Sequence, residues 1–296
     1  MAPSTPLTAA TAASYSLSIR TVSGGLAFCI YSEEPSPQIL RQGLLEASAG
    51  SPSVYTRLQE LYYEHEFLCY PFRRVTLYYE PEEATLAPSE LLLDGQDELW
   101  ISPHSEEAQA SGSGALEKSY LRYALPDETK TFVLSWSREA LQFLRRTLLI
   151  IEPLPYFATI LEERRDRGRS EQGRELLLLL REGAIDLFLL SEGELLGYNS
   201  FALVSSLEAK VLAGEAVFYA FSFWRHFALE GSTDRITIGY PMEGMEASTR
   251  LLEAVVHETG ELLSPYIAQI TQLSYRSLPQ APEAPSPTAH QNPCAS

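Results

Sequence analysis

Two short stretches of this chain have the residue types to hold a phosphate. Ser23-Gly24-Gly25 follows the alternating segment Ser16–Thr21, and Glu182-Gly183 follows the apolar run Leu176–Leu180. A turn glycine lets backbone N–H groups approach a phosphate, and a nearby hydroxyl or carboxylate can contact the phosphate or its metal. The plainer reading is two ordinary hairpin turns, because any hairpin can carry Ser-Gly-Gly or Glu-Gly. Other chemistries find less support. Cys29, Cys69 and Cys294 are far apart, so they make neither a disulfide framework nor a zinc site. The five histidines, His65, His104, His226, His257 and His290, are scattered with no second ligand at i+4, so no metal site is expected. The acid pairs Glu33-Glu34, Glu82-Glu83 and Glu106-Glu107 sit beside Pro or Ser and read as surface charge, not as a general acid–base pair. There is no G-x-S-x-G, Walker loop, G-x-G-x-x-G fingerprint or H-E-x-x-H. No catalytic residue, metal ligand or cofactor is assigned.

The elements that carry the two turns form a repeat. Glu175–Phe201 reads as three strands: Leu176–Leu180, a turn at Arg181-Glu182-Gly183, Ile185–Leu190 interrupted only by Asp186, a turn at Ser191-Glu192-Gly193, and Glu194–Phe201. Runs apolar on both faces belong to a sheet covered on both sides. The N-terminal part echoes this order with Ser16–Thr21, Leu26–Tyr31 and Gln38–Glu46. A helix then follows each triplet, over Ser51–Leu68 and Ser205–Leu229, and a strand follows each helix, over Arg73–Tyr79 and Arg235–Tyr240. The order β-β-β-α-β therefore appears twice. The first half adds a helix start at Pro88, strands at Ser119–Leu125 and Thr131–Trp136, a helix capped by Ser137, and a strand at Thr147–Ile151. The second adds a helix over Gly244–Gly260 and a strand over Tyr266–Ile270.

The expected organisation is a flexible N-terminal arm (1–14), a first domain (15–155) with a loop insertion near 102–114, and a linker region (156–174). A second domain (175–276) and a disordered Pro/Ala-rich tail (277–296) follow. Arg164-Arg165-Asp166-Arg167 in the linker reads as a solvated helix end, since acids interleave the arginines. A net charge of −17 opposes nucleic acid and anionic membrane surfaces as partners. The start of the chain lacks a basic and apolar leader, and no apolar run approaches bilayer length, so the default compartment is the cytoplasm.

A β-β-β-α-β-α-β unit is the layout of a ribonuclease-H-like domain, and two in tandem around a cleft is the layout of the actin and sugar-kinase superfamily. Leu17-Ser18-Ile19-Arg20, Ala27-Phe28-Cys29-Ile30-Tyr31, Val75-Thr76-Leu77-Tyr78, Ala84–Leu91 and Gly197-Tyr198-Asn199-Ser200-Phe201 resemble the bacterial domain-of-unknown-function family 3822. The resemblance covers roughly Tyr15 to Ile270. It implies an α/β fold of tandem ribonuclease-H-like (actin-like ATPase) domains with an interdomain cleft, and it brings no established activity. Enzymes of that superfamily place an Asp-x-Gly type turn in the first hairpin of each half. Here Arg20 stands at the first strand end and no Asp ends the second, while Gly239 could equally admit a nucleotide or simply end a strand. The expected function is non-catalytic, acting through contacts with a protein partner. Aromatics in Tyr62–Phe72 and Phe218–Phe227 are candidates for that contact, although a core role is the plainer reading. The alternative is an ATP-binding switch or weak ATPase with Gly24, Gly25 or Glu182 on the phosphates. A small-molecule sensor using the same cleft is a third.

Overall fold

The structure, a computed structural model, describes residues 7–279 apart from 34–37, 49, 52, 102–116, 128, 149 and 171–172. After a one-turn helix, Ala9–Ala12 (α1), the chain makes the antiparallel strands Ser16–Val22 (β1), Gly25–Ser32 (β2) and Gln38–Glu46 (β3). Val54–Glu64 (α2) crosses to Arg74–Tyr79 (β4), which pairs parallel to β1. Glu83–Pro88 (β5), Glu98–Ile101 (α3), Lys118–Ala124 (β6) and Lys130–Ser137 (β7) come next, and Arg138–Thr147 (α4) returns the chain to Glu152–Pro155 (β8) beside β4. Ala158–Gly168 (α5) leads into the second half. There Arg174–Arg181 (β9), Ala184–Ser191 (β10), Glu194–Ala202 (β11), Ala209–His226 (α6), Arg235–Pro241 (β12), Glu246–Leu263 (α7) and Gln269–Tyr275 (β13) follow.

The two halves build matching sheets. Among the described residues the orders are β3-β2-β1-β4-β8 and β11-β10-β9-β12-β13, with β5-β7-β6 as a separate three-stranded sheet. In both five-stranded sheets the first three strands are antiparallel and the last two add in parallel. This is the tandem ribonuclease-H-like arrangement expected from the repeated strand order.

Alternation along the strands explains the double-sided apolar runs. Leu176, Leu178, Leu180, Ile185, Leu187 and Leu189 pack with Leu212, Ala216 and Ala220 of α6 and Val255 and Val256 of α7. The intervening Leu177, Leu179, Phe188 and Leu190 join a larger core with Phe132 of β7 and Phe157 ahead of α5. The three-stranded sheet of the first half thus lies against the second half's sheet. The first sheet puts Leu17, Ile19, Phe28 and Ile30 on α2 and α4, and turns Ala27, Cys29 and Tyr31 to a smaller cluster with Leu278. Of the aromatics considered for an interface, Tyr62, Phe67, Phe223 and Trp224 are buried, Tyr70, Phe72, Tyr219, Phe221 and Phe227 are half-buried against the cores, and Tyr63 and Phe218 are exposed.

Several expectations need correction. The arm expected over 1–14 contains α1, held by a Thr8–Thr11 capping box, with Ala12 buried; residues 1–6 lie outside the described set. The linker expected over 156–174 is largely α5, and Tyr156, Phe157, Ile160 and Leu161 are core residues. Arg164 and Arg165, read as solvated, are buried in ion pairs with Glu175 and Asp127, while Arg167 and Asp166 face solvent. The tail expected from residue 277 starts with buried Ser277 and Leu278, and 280–296 lie outside the described residues, as does the insertion near 102–114. Pro88 ends β5 instead of starting an α-helix, with only a 3-10 turn at Ser89–Leu91 after it. The strand expected at Thr147–Ile151 begins later, at Glu152, because α4 runs through Thr147.

Candidate functional site

The two hairpin turns open onto one cavity of about 910 Å³ between the halves. Val22 and Ser23 reach it from the first turn, and Arg181, Glu182 and Gly183 from the second. Glu80 and Glu82, just past β4, add two carboxylates. The first turns of α2 and α7 border it with Ser53, Val54, Ala247 and Ser248, and Ser137 does so just ahead of α4. The hydroxyls of Ser53 and Ser137 are already used: each accepts from its own helix, from the Thr56 amide at 3.1 Å and the Ala140 amide at 3.3 Å. Leucines of the second half and Trp136 form the apolar walls.

The candidate phosphate residues divide. Glu182 and Gly183 line the cavity, and Gly183 adopts φ +75°, which the tight turn requires of glycine. Gly24 and Gly25 do not line it. Gly24 faces Met245, and at Gly25 a Cβ would lie 2.2 Å from the Leu45 carbonyl oxygen, so this glycine serves the close passage of β3. Gly239 is packed between Leu179, Leu273 and Tyr275 and lies within β12, two residues before its end. The structure therefore brings together Ser23, Glu182 and Gly183, and directs the other glycines to packing.

Behind the turns runs a buried polar network that joins the halves. Arg20 has a fully buried side chain. One of its terminal nitrogens donates to Glu243 at 2.9 Å and to the Ser277 hydroxyl at 3.0 Å, and the other to Glu80 at 3.4 Å. Ser277 in turn donates to the Tyr156 carbonyl at 2.9 Å. The Tyr156 hydroxyl donates to Asp186 at 2.5 Å, and Tyr198 and Arg181 each donate to the same carboxylate at 2.8 Å. The Arg20 guanidinium also lies 5.5 Å from the centre of the Tyr156 ring.

Burial opposes the Arg20 charge, but Tyr275, Glu243 and Glu80 around it outweigh that and keep it protonated. Burial, followed by the nearby Asp186 charge, drives the Tyr156 and Tyr198 phenols well above their ordinary range, so both remain donors. Two signals of this network are visible in the sequence: Asp186 breaking an apolar run, and Arg20 near the end of the first strand. Their partners are not, because Glu243 lies 223 positions from Arg20.

Chemically, the arrangement leaves few free groups. The Asp186 carboxylate is fully buried and satisfied by three donors, and Glu80 is paired with Arg20. Burial pushes the Glu82 carboxyl up. Arg57 lines the cavity with a buried Nε that has no hydrogen-bond partner. Among the described residues there is no cluster of three or more His, Cys, Asp or Glu side chains placed to hold a metal ion, and no helix is long and apolar enough to cross a membrane.

Comparison with known proteins agrees with this architecture. A Bacteroides thetaiotaomicron protein with an actin-like ATPase fold and unknown function superposes with a TM-score of 0.70 at 18% identity, covering 91% of this chain and 94% of that one. The PilM–PilN type IV pilus biogenesis complex gives 0.50 at 12% identity, covering 87% and 88%. No curated protein matches this chain in sequence. The fold is the actin-like ATPase fold, a likeness of shape that leaves function to be argued from the site. The family model for proteins of unknown function DUF3822 matches residues 4–250, and the chain belongs to that family.

Proposed function

We propose that this protein is a non-catalytic, cytoplasmic member of the actin-like fold that works through contacts with other proteins. The observation that carries this reading is the network of Arg20, Glu243, Ser277, Tyr156 and Asp186. Where a catalyst of this fold needs a free carboxylate for Mg²⁺, the first strand carries a buried, ion-paired arginine two residues before its end. The carboxylate of the second half is held by two tyrosines and an arginine. One structural relative of similar shape, PilM–PilN, is a protein–protein complex. The net charge of −17 further disfavours nucleic acid as the partner. Calorimetric titration of the full chain with ATP and Mg²⁺ tests the reading. No heat at millimolar nucleotide is expected, and micromolar binding overturns it. Crosslinked pull-down from cell lysate should then recover a specific protein partner.

A second reading, an ATP-binding switch, draws support from Glu182 and Gly183 on the cavity and from the unpaired Nε of Arg57. It expects nucleotide binding that Arg57→Ala weakens at least about tenfold, as loss of a charged hydrogen bond does.

A further inference from the structure

Helix α6 buries Leu212, Ala213, Ala216, Ala220, Phe223 and Trp224. Its opposite side presents Val211, Gly214, Phe218, Phe221 and Arg225, a spacing of three, four, three and four residues. Val211 is 43% exposed, Phe218 66%, and Leu207, just before the helix, 90%. Single exposed apolar residues are ordinary, but a row of exposed Val211, Gly214 and Phe218 with half-buried Phe221 at this spacing has the geometry of a helix–helix seam. No charge interrupts it before Arg225. Glu215, on its flank, is turned back to accept a hydrogen bond from the Val204 amide at 2.8 Å. Phe221 is steadied edge-on by Tyr266, and Phe218, Phe221, Ser222 and Arg225 line a groove of about 420 Å³.

We propose that this face is a two-fold interface on which a second copy of the chain docks, α6 against α6 and antiparallel. The seam is complementary to itself only in that direction. A two-fold axis between Gly214 and Phe218 sets each phenyl ring over the other copy's Gly214, where a Cβ would meet nothing within 4 Å. The same axis sets Val211 against Phe221, and Glu208 with Leu207 beside the other copy's Arg225. Large residues meet small ones, and each end gains an opposite charge. A parallel pairing would instead stack Phe218 on Phe218 and Arg225 on Arg225. Each copy carries a net charge of −17, so two copies repel over most surfaces. That makes a seam free of unpaired acids the favoured meeting place. A single helix face offers a small interface, so a weak dimer is expected. It stands whether or not the cleft takes a nucleotide.

Sedimentation equilibrium of the full chain tests this. The wild type is expected to be a monomer–dimer mixture at micromolar protein. Phe218→Glu should weaken the dimer at least about tenfold, as loss of a central anchor does. Gly214→Leu, which fills the hole on an exposed helix position and retains the helical circular dichroism, should do the same. Glu208→Arg and Arg225→Glu should each weaken the dimer, and together restore it. A wild type that stays monomeric at sub-millimolar protein overturns the proposal. So does a dimer that tolerates both Phe218→Glu and Gly214→Leu, or a charge-swapped double variant that fails to regain the dimer.

Discussion

The first and second sheets share strand order and direction, yet they bury opposite charges at one matched place. Two residues before each hairpin turn, Arg20 faces Ala27 in the first sheet, and Leu179 faces Asp186 in the second. One half therefore carries an internal cation and the other an internal anion. Each is completed by groups from across the molecule: Arg20 by Glu243 and Ser277, and Asp186 by Tyr156. Strand order survives wide sequence change because it needs only alternation and turns. A buried charge tolerates far less, since it requires particular partners. Each charge has partners in its own half, Glu80 for Arg20 and Arg181 and Tyr198 for Asp186, and each gains its remaining partners only when the halves are together.

The largest effect is expected where the comparison is broken outright. Arg20→Ala leaves Glu243 without its cation in a buried setting and should cost about 3–5 kcal/mol. The midpoint of urea unfolding measures it, and a loss below about 1 kcal/mol would show that the network contributes no more than an exposed ion pair. Asp186→Ala is next. It removes the acceptor of Tyr156, Tyr198 and Arg181 and should cost about 3 kcal/mol, while Asp186→Asn, which keeps an acceptor, should cost less.

Acid sharpens the comparison at the strand starts. Burial pushes the Asp234 carboxyl up, but hydrogen bonds from Arg174 and from the Glu230 and Arg174 amides outweigh it and hold the carboxyl below its usual range. A depressed folded value means that its stabilisation is present above the unfolded value of about 4 and is lost as pH falls through the folded one. Thermal unfolding followed downward from neutral pH should show this loss, and Asp234→Asn should flatten it.

The smallest effect separates the helices. α2 and α4 begin with serine caps, whereas α6 and α7 have no side-chain cap. Ser53→Ala and Ser137→Ala should each cost about 1 kcal/mol by thermal melt. Glu208→Ala should leave stability nearly unchanged.

Features set by local pattern were legible in the sequence, and those set by distant partners were not. The triplets Ser16–Glu46 and Glu175–Phe201 announce themselves by alternation and by turn glycines such as Gly183. Ser137 marks the start of α4. By contrast, α5 hides its core residues Ile160 and Leu161 among charges, and the burial of Arg165 depends on Asp127 and on the Gly193 carbonyl. Pro88 misleads because proline suits a helix start, but here it ends an edge strand of the three-stranded sheet. At the site, Glu182 was legible as a turn acid. Arg57 as a cavity residue and Tyr156 as the bridge between halves were not, because each acquires its role only when the two halves come together.

Native-state hydrogen exchange on β1 and β9, in the wild type and in Arg20→Ala, tests the central claim most directly. If the buried network joins the halves into one unit, amides of both strands open with the same free energy in the wild type, and Arg20→Ala lowers protection equally in both. Loss confined to β1, with β9 unchanged, would contradict the account and leave Arg20 as a local stabiliser of the first sheet alone.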